Sequence, residues 1–118
     1  MEESDKSGTI MLLTCSSPSN VGHIAARVAL VLMQYHPGSF EWCQAKQPDD
    51  TIGTIASSCD AAIAIDGCHE SCCMKKLSSM GVTVDRHIVV TELLGITKSM
   101  AEVKPEEVEK VVNAVNRQ

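Results

Sequence analysis

Short apolar runs alternate with helical periodicity along most of this chain, and that alternation leaves few architectures open. Residues 9–14 are apolar, too few for a buried helix, and run into the turn Cys15-Ser-Ser-Pro-Ser-Asn20; they read as a buried strand. From Val21 the period changes. Ile24, Val28 and Leu32, flanked by Ala25, Ala29 and Val31, form one apolar helical face; Ser19 or Asn20 can cap it, and His36-Pro37-Gly38 stops it. A short strand over 39–43 follows, then a polar loop over 44–50 and a short helix over 51–58 with Ile52, Ile55 and Ala56 inward. Residues 61–65 are the next buried strand, 70–80 a helix closed by Gly81, and 87–91 a fourth strand. Pro105-Glu-Glu opens a last helix, whose inner face is Val108, Val111, Val112 and Val115.

Strands that alternate with amphipathic helices predict an α/β fold: a three-layer α/β/α domain around a mainly parallel four-stranded sheet. Right-handed crossovers that place helices on both faces favour the strand order 2-1-3-4. The 118 residues suffice for one domain over 9–118, after a polar, acidic lead-in over 1–8 that does not resemble a signal peptide. Aromatics make up only 3% of the chain, so the core must be aliphatic.

Charge and hydropathy narrow the partners. A formal charge of −5 argues against general nucleic-acid binding, which needs a basic surface. No apolar stretch approaches a membrane span, so a cytoplasmic location is the default expectation. In that compartment the six cysteines read as metal-binding, catalytic or buried, and not as a disulfide framework.

Three of those cysteines stand where an apolar run gives way to a loop. Cys15 follows the first strand, Cys43 the second, and Cys68 closes Ala61-Ala-Ile-Ala-Ile-Asp-Gly67, with Cys72 four residues further on. Parallel strands share a carboxyl edge, and open α/β sheets place their ligands there. In Asp66-Gly67-Cys68-His69-Glu70-Ser71-Cys72 the glycine permits a sharp turn, which puts Cys68 in the turn and Cys72 in the first turn of the helix. Two thiols so spaced can point at one ion, and a helix N-terminus favours the thiolate form. Cys15 and Cys43 can complete a four-sulfur site. Such a site suits zinc, and equally an iron–sulfur cluster.

Cys15 also opens a small-residue turn into a helix, like the cradle of a cysteine phosphatase. Asn20, Val21 and Gly22 stand where that chemistry needs an arginine, so a phosphatase is not expected; a small buried residue at a tight turn is the plainer reading of Cys15. Cys59, at a helix end before a strand, reads as packing. Cys72 and Cys73 lie about 100° apart on a helix, so only one of them can face a cluster. His69, His23, His36 and His87 read as surface or half-buried residues, and Asp66 as an acceptor for loop N–H groups at least as readily as an acid or base.

The ordered set of Cys15, Asn20-Val21-Gly22, Cys43, Asp66-Gly67-Cys68 and Cys72 resembles the DGC-domain family, small prokaryotic proteins proposed to bind zinc. The resemblance spans roughly residues 9–95 and implies a metal site on Cys15, Cys43, Cys68 and Cys72; it names no reaction. The chain departs from the family where a glycine-rich loop is usual: it has Gln44-Ala-Lys-Gln-Pro-Asp-Asp50, with Gly53 the only glycine nearby. Cys59 and Cys73 are not part of the four-cysteine pattern.

Two functions follow as expectations. In the first, the thiolates hold zinc, as a structural ion or as cargo. In the second, Cys15 or Cys68 is the nucleophile of an enzyme or of a sulfur or redox carrier, a reading weakened by the lack of an evident general base or substrate-binding arginine.

Overall fold

A computed structural model describes residues 8–15 and 17–116. Apart from Gly8, the expected lead-in lies outside the described residues. The strands are β1 (Ile10–Thr14), β2 (Phe40–Gln44), β3 (Ala61–Asp66) and β4 (Arg86–Val89); the helices are α1 (Asn20–Tyr35), α2 (Asp49–Ser57), α3 (Cys72–Ser79), α4 (Val90–Leu94) and α5 (Pro105–Asn116). The sheet is parallel throughout and ordered β2-β1-β3-β4, the predicted arrangement.

Period-two alternation sends neighbouring residues to opposite layers. Leu12, Ile63, Ile65 and Ile88 pack under α1, α4 and α5, while Met11, Leu13, Ala62 and Ala64 meet α2 and α3. The predicted inner face of α1 is buried at Ile24, Ala25, Val28, Ala29 and Leu32. With few aromatics available, aliphatic chains fill both layers. Trp42 is half-buried and donates its indole N–H to Thr14 Oγ1 at 2.9 Å, which satisfies a fully buried hydroxyl. Arg86 of β4 closes α5 by donating to the carbonyls of Ala114 and Val115, at 2.6 and 2.8 Å. Gly81 follows α3 with φ +76°, the left-handed conformation expected there.

Boundaries differ from expectation by two residues in three places, and by one residue elsewhere. Helix α2 starts at Asp49 rather than Thr51, because Asp49 and Asp50 occupy a first turn where acids suit the helix dipole. Helix α3 starts at Cys72 rather than residue 70, since Ser71 is left-handed with φ +55°. The fourth strand spans 86–89, and Thr91, expected in it, belongs to α4. Beyond the Asp66–Val89 pair β3 has ended at Gly67, so Val90 has no strand to pair with; Thr91 instead donates to the Gly67 carbonyl at 3.1 Å.

Candidate functional site

The carboxyl ends of β1 and β3 lie side by side, and the turns leaving them deliver thiols to one place. Cys15, Cys68 and Cys72 line a single cavity of about 340 Å³. Cys15 and Cys68 are half-buried and Cys72 is exposed. Cys43 is placed differently. It sits within β2 opposite Leu13, is 1% exposed, and packs with Met11, Leu13 and Ile52 under α2. The residues that follow it in the chain, Ala45 and Lys46, reach the cavity wall. The adjacent thiols of α3 divide, Cys72 lining the cavity and Cys73 fully buried in the core. Cys59 is buried in the same layer as Cys73, the packing position expected of it. All six cysteines are free, and among the described residues no group of three or more His, Cys, Asp or Glu side chains is arranged to hold an ion as it stands.

Burial pushes the Cys15 thiol above its ordinary value, and the charges of Asp66 and Cys68 add to that rise. The backbones of Ser17 and Gly67 hydrogen-bond the sulfur and pull the other way without cancelling the burial. The free thiol is therefore protonated at neutral pH, with two backbone groups at its sulfur that favour the thiolate. The contact with Gly67 requires a glycine: a Cβ there would stand 2.7 Å from Val21 Cγ2 and 3.2 Å from Cys15 Sγ.

The run Asn20-Val21-Gly22 has a physical role at each position. Val21 packs against Gly67. Gly22 lies so close to the Ser17 carbonyl that a Cβ would come within 2.0 Å of its oxygen. Ser19 caps α1 by accepting from the Gly22 N–H. Asn20 is 6% exposed and anchors the loop between α4 and α5: its Nδ2 donates to the Thr97 carbonyl at 3.2 Å, and its Oδ1 accepts from Ser99 N at 2.8 Å. Lys98, in that anchored loop, lines the same cavity as Lys46.

Asp66 is 1% exposed and fully used. Its Oδ1 accepts from Cys73 N at 2.7 Å; its Oδ2 accepts from Met74 N at 3.2 Å and meets His87 Nε2 at 2.8 Å. The expected role of Asp66 as an acceptor for backbone N–H groups is thus present, although the donors belong to α3 rather than to the turn. His87, read from the sequence as a surface or half-buried residue, is exposed overall, and its ring is also the side-chain partner of a buried carboxylate. The available signal was a buried acid at a strand end that needs a donor, with one histidine on the following strand. His23, His36 and His69 are exposed.

The family model for the DGC domain matches residues 11–115, nearly the whole described chain. A search of curated proteins finds no match to the chain.

Proposed function

Because the chain belongs to the DGC-domain family, we propose that its thiol cavity holds a thiophilic metal ion, zinc in the first instance. The observation that carries this reading is the convergence of Cys15, Cys68 and Cys72, from two loops and a helix start, on one cavity wall. The donor set fits zinc in kind, since soft sulfur ligands from separate segments are what structural and cargo sites use. It also accepts an iron–sulfur cluster, which a visible absorption spectrum tells apart. When bound, zinc supplies positive charge that stabilises thiolates and links the segments bearing them. The chain's own residues do the rest. Ser17 and Gly67 direct backbone groups at the Cys15 sulfur, and Asp66 fixes the start of α3, where Cys72 stands. Cys43 enters as the expected fourth donor, from a core position in β2 just ahead of Ala45 and Lys46, which line the cavity. No membrane-length apolar helix occurs among the described residues.

Zinc content by elemental analysis, with thiols titrated before and after chelation, tests the proposal. A tightly held zinc that masks Cys15, Cys68 and Cys72 supports it. Masking of Cys43 as well assigns the fourth ligand. Metal-free protein with one hyper-reactive thiol supports the second reading, in which Cys15 or Cys68 is a nucleophile. That reading draws on the backbone groups at the Cys15 sulfur. For Cys15 it is weakened because burial holds that thiol protonated.

A further inference from the structure

Helix α3 lacks a cap of its own. Ser71, at its N-cap position, is left-handed and makes no side-chain capping bond. The first-turn N–H groups of Cys73 and Met74 are satisfied instead by Asp66, which reaches across from the end of β3. A carboxylate 1% exposed needs further compensation, and His87 Nε2 provides it at 2.8 Å with a side chain 28% exposed. His87 pairs with Ala64 in the register of β3 and β4, and Asp66 lies two residues along β3 from that pair, so the two side chains share a face of the sheet. His87 does not line the cavity. We infer that His87 is a positioning residue for the thiol site: through Asp66 it fixes the start of α3, and with it Cys72 and the turn that carries Cys68. The inference rests on the metal-site reading for its consequence, but not for its geometry. Partners that orient ligand-bearing groups in this indirect way change metal affinity by roughly 10–100-fold when removed.

The test compares His87→Leu, which removes the polar contact, with His87→Gln, whose amide N–H can still reach the carboxylate. Val28→Ala, on the buried inner face of α1, serves as a control that loses stability without touching this arrangement. Two readouts are taken: amide exchange at Cys73 and Met74, and cobalt(II) and zinc binding to the full chain, with the thiolate-to-cobalt band recorded. Expected for His87→Leu are faster exchange at both amides relative to the control, a loss of roughly 10–100-fold in zinc affinity, and a weaker thiolate-to-cobalt band. His87→Gln should restore most of each, and Val28→Ala should leave affinity and band unchanged. Unaltered exchange in His87→Leu, or metal affinity no lower than in the control, overturns the inference and leaves the metal reading standing. A wild-type chain that takes up neither metal overturns the metal reading, and with it the consequence assigned to His87; the exchange data then decide the geometry alone.

Discussion

Gly22 and Gly53 both lie inside helices, yet their surroundings differ enough to reverse the effect of one added methyl group. At Gly22 the new carbon would meet the Ser17 carbonyl oxygen at 2.0 Å, a backbone atom of the turn that holds Cys15. At Gly53 the nearest atom is Met80 Cε at 3.6 Å, an ordinary contact with the end of a flexible chain. Gly22→Ala should therefore cost about 1–3 kcal/mol. Gly53→Ala should gain about 0.5–1 kcal/mol by relieving a flexible residue in a helix interior. Urea midpoints at constant slope check both; a neutral Gly22→Ala would mean that the turn is not packed as described. At this scale the sequence was legible wherever one residue type answers a local need: Ser19 at a helix start, Gly81 at a helix end. The partner of Asp66 was not legible, because strand pairing brings His87 to it from 21 residues away and periodicity carries no register.

The elements themselves were readable from the spacing of aliphatic residues, and α4 shows where that reading ends. Val89-Val90-Thr91 has β-branched residues that suit a strand, but the neighbouring strand has run out, and backbone groups without a partner there turn to helix and to the Gly67 carbonyl. The loop after α4 is likewise held by tertiary contacts rather than by its own sequence. Asn20 bridges it to α1 through Thr97 and Ser99. Asn20→Ala removes those side-chain bonds from a nearly buried position and should cost about 1–3 kcal/mol. Amide exchange at Ser99 should speed up in step. An unchanged Ser99 amide would show that the backbone bond from Asn20 N to the Ser99 carbonyl is enough to hold the loop.

At the scale of the whole molecule, the parallel sheet explains how thiols from three separate segments approach one edge, and its two-layer packing explains why they do not arrive equivalently. Cys15, Cys68 and Cys72 stand in or beyond the turns, whereas Cys43 is still within its strand and faces the α2 layer. Burial raises the thiols of Cys43, Cys59 and Cys73, with the charge of Asp66 adding to the rise at Cys73. These groups stay protonated in the folded state where the unfolded chain ionises, so the folded state binds more protons. Their contribution to stability is complete below about pH 8.5 and is lost as pH climbs through the folded values. The urea midpoint of reduced, metal-free protein should accordingly fall between about pH 8.5 and 10; a rise would contradict the burial of these thiols. Whether metal is held by the cavity thiols, and not by the packing thiol Cys59, is tested most directly by zinc titration of Cys68→Ser beside Cys59→Ser. The Cys59 variant should keep its zinc and the Cys68 variant should lose it. A Cys68 variant that retains zinc while the Cys59 variant does not would contradict the assignment to the cavity.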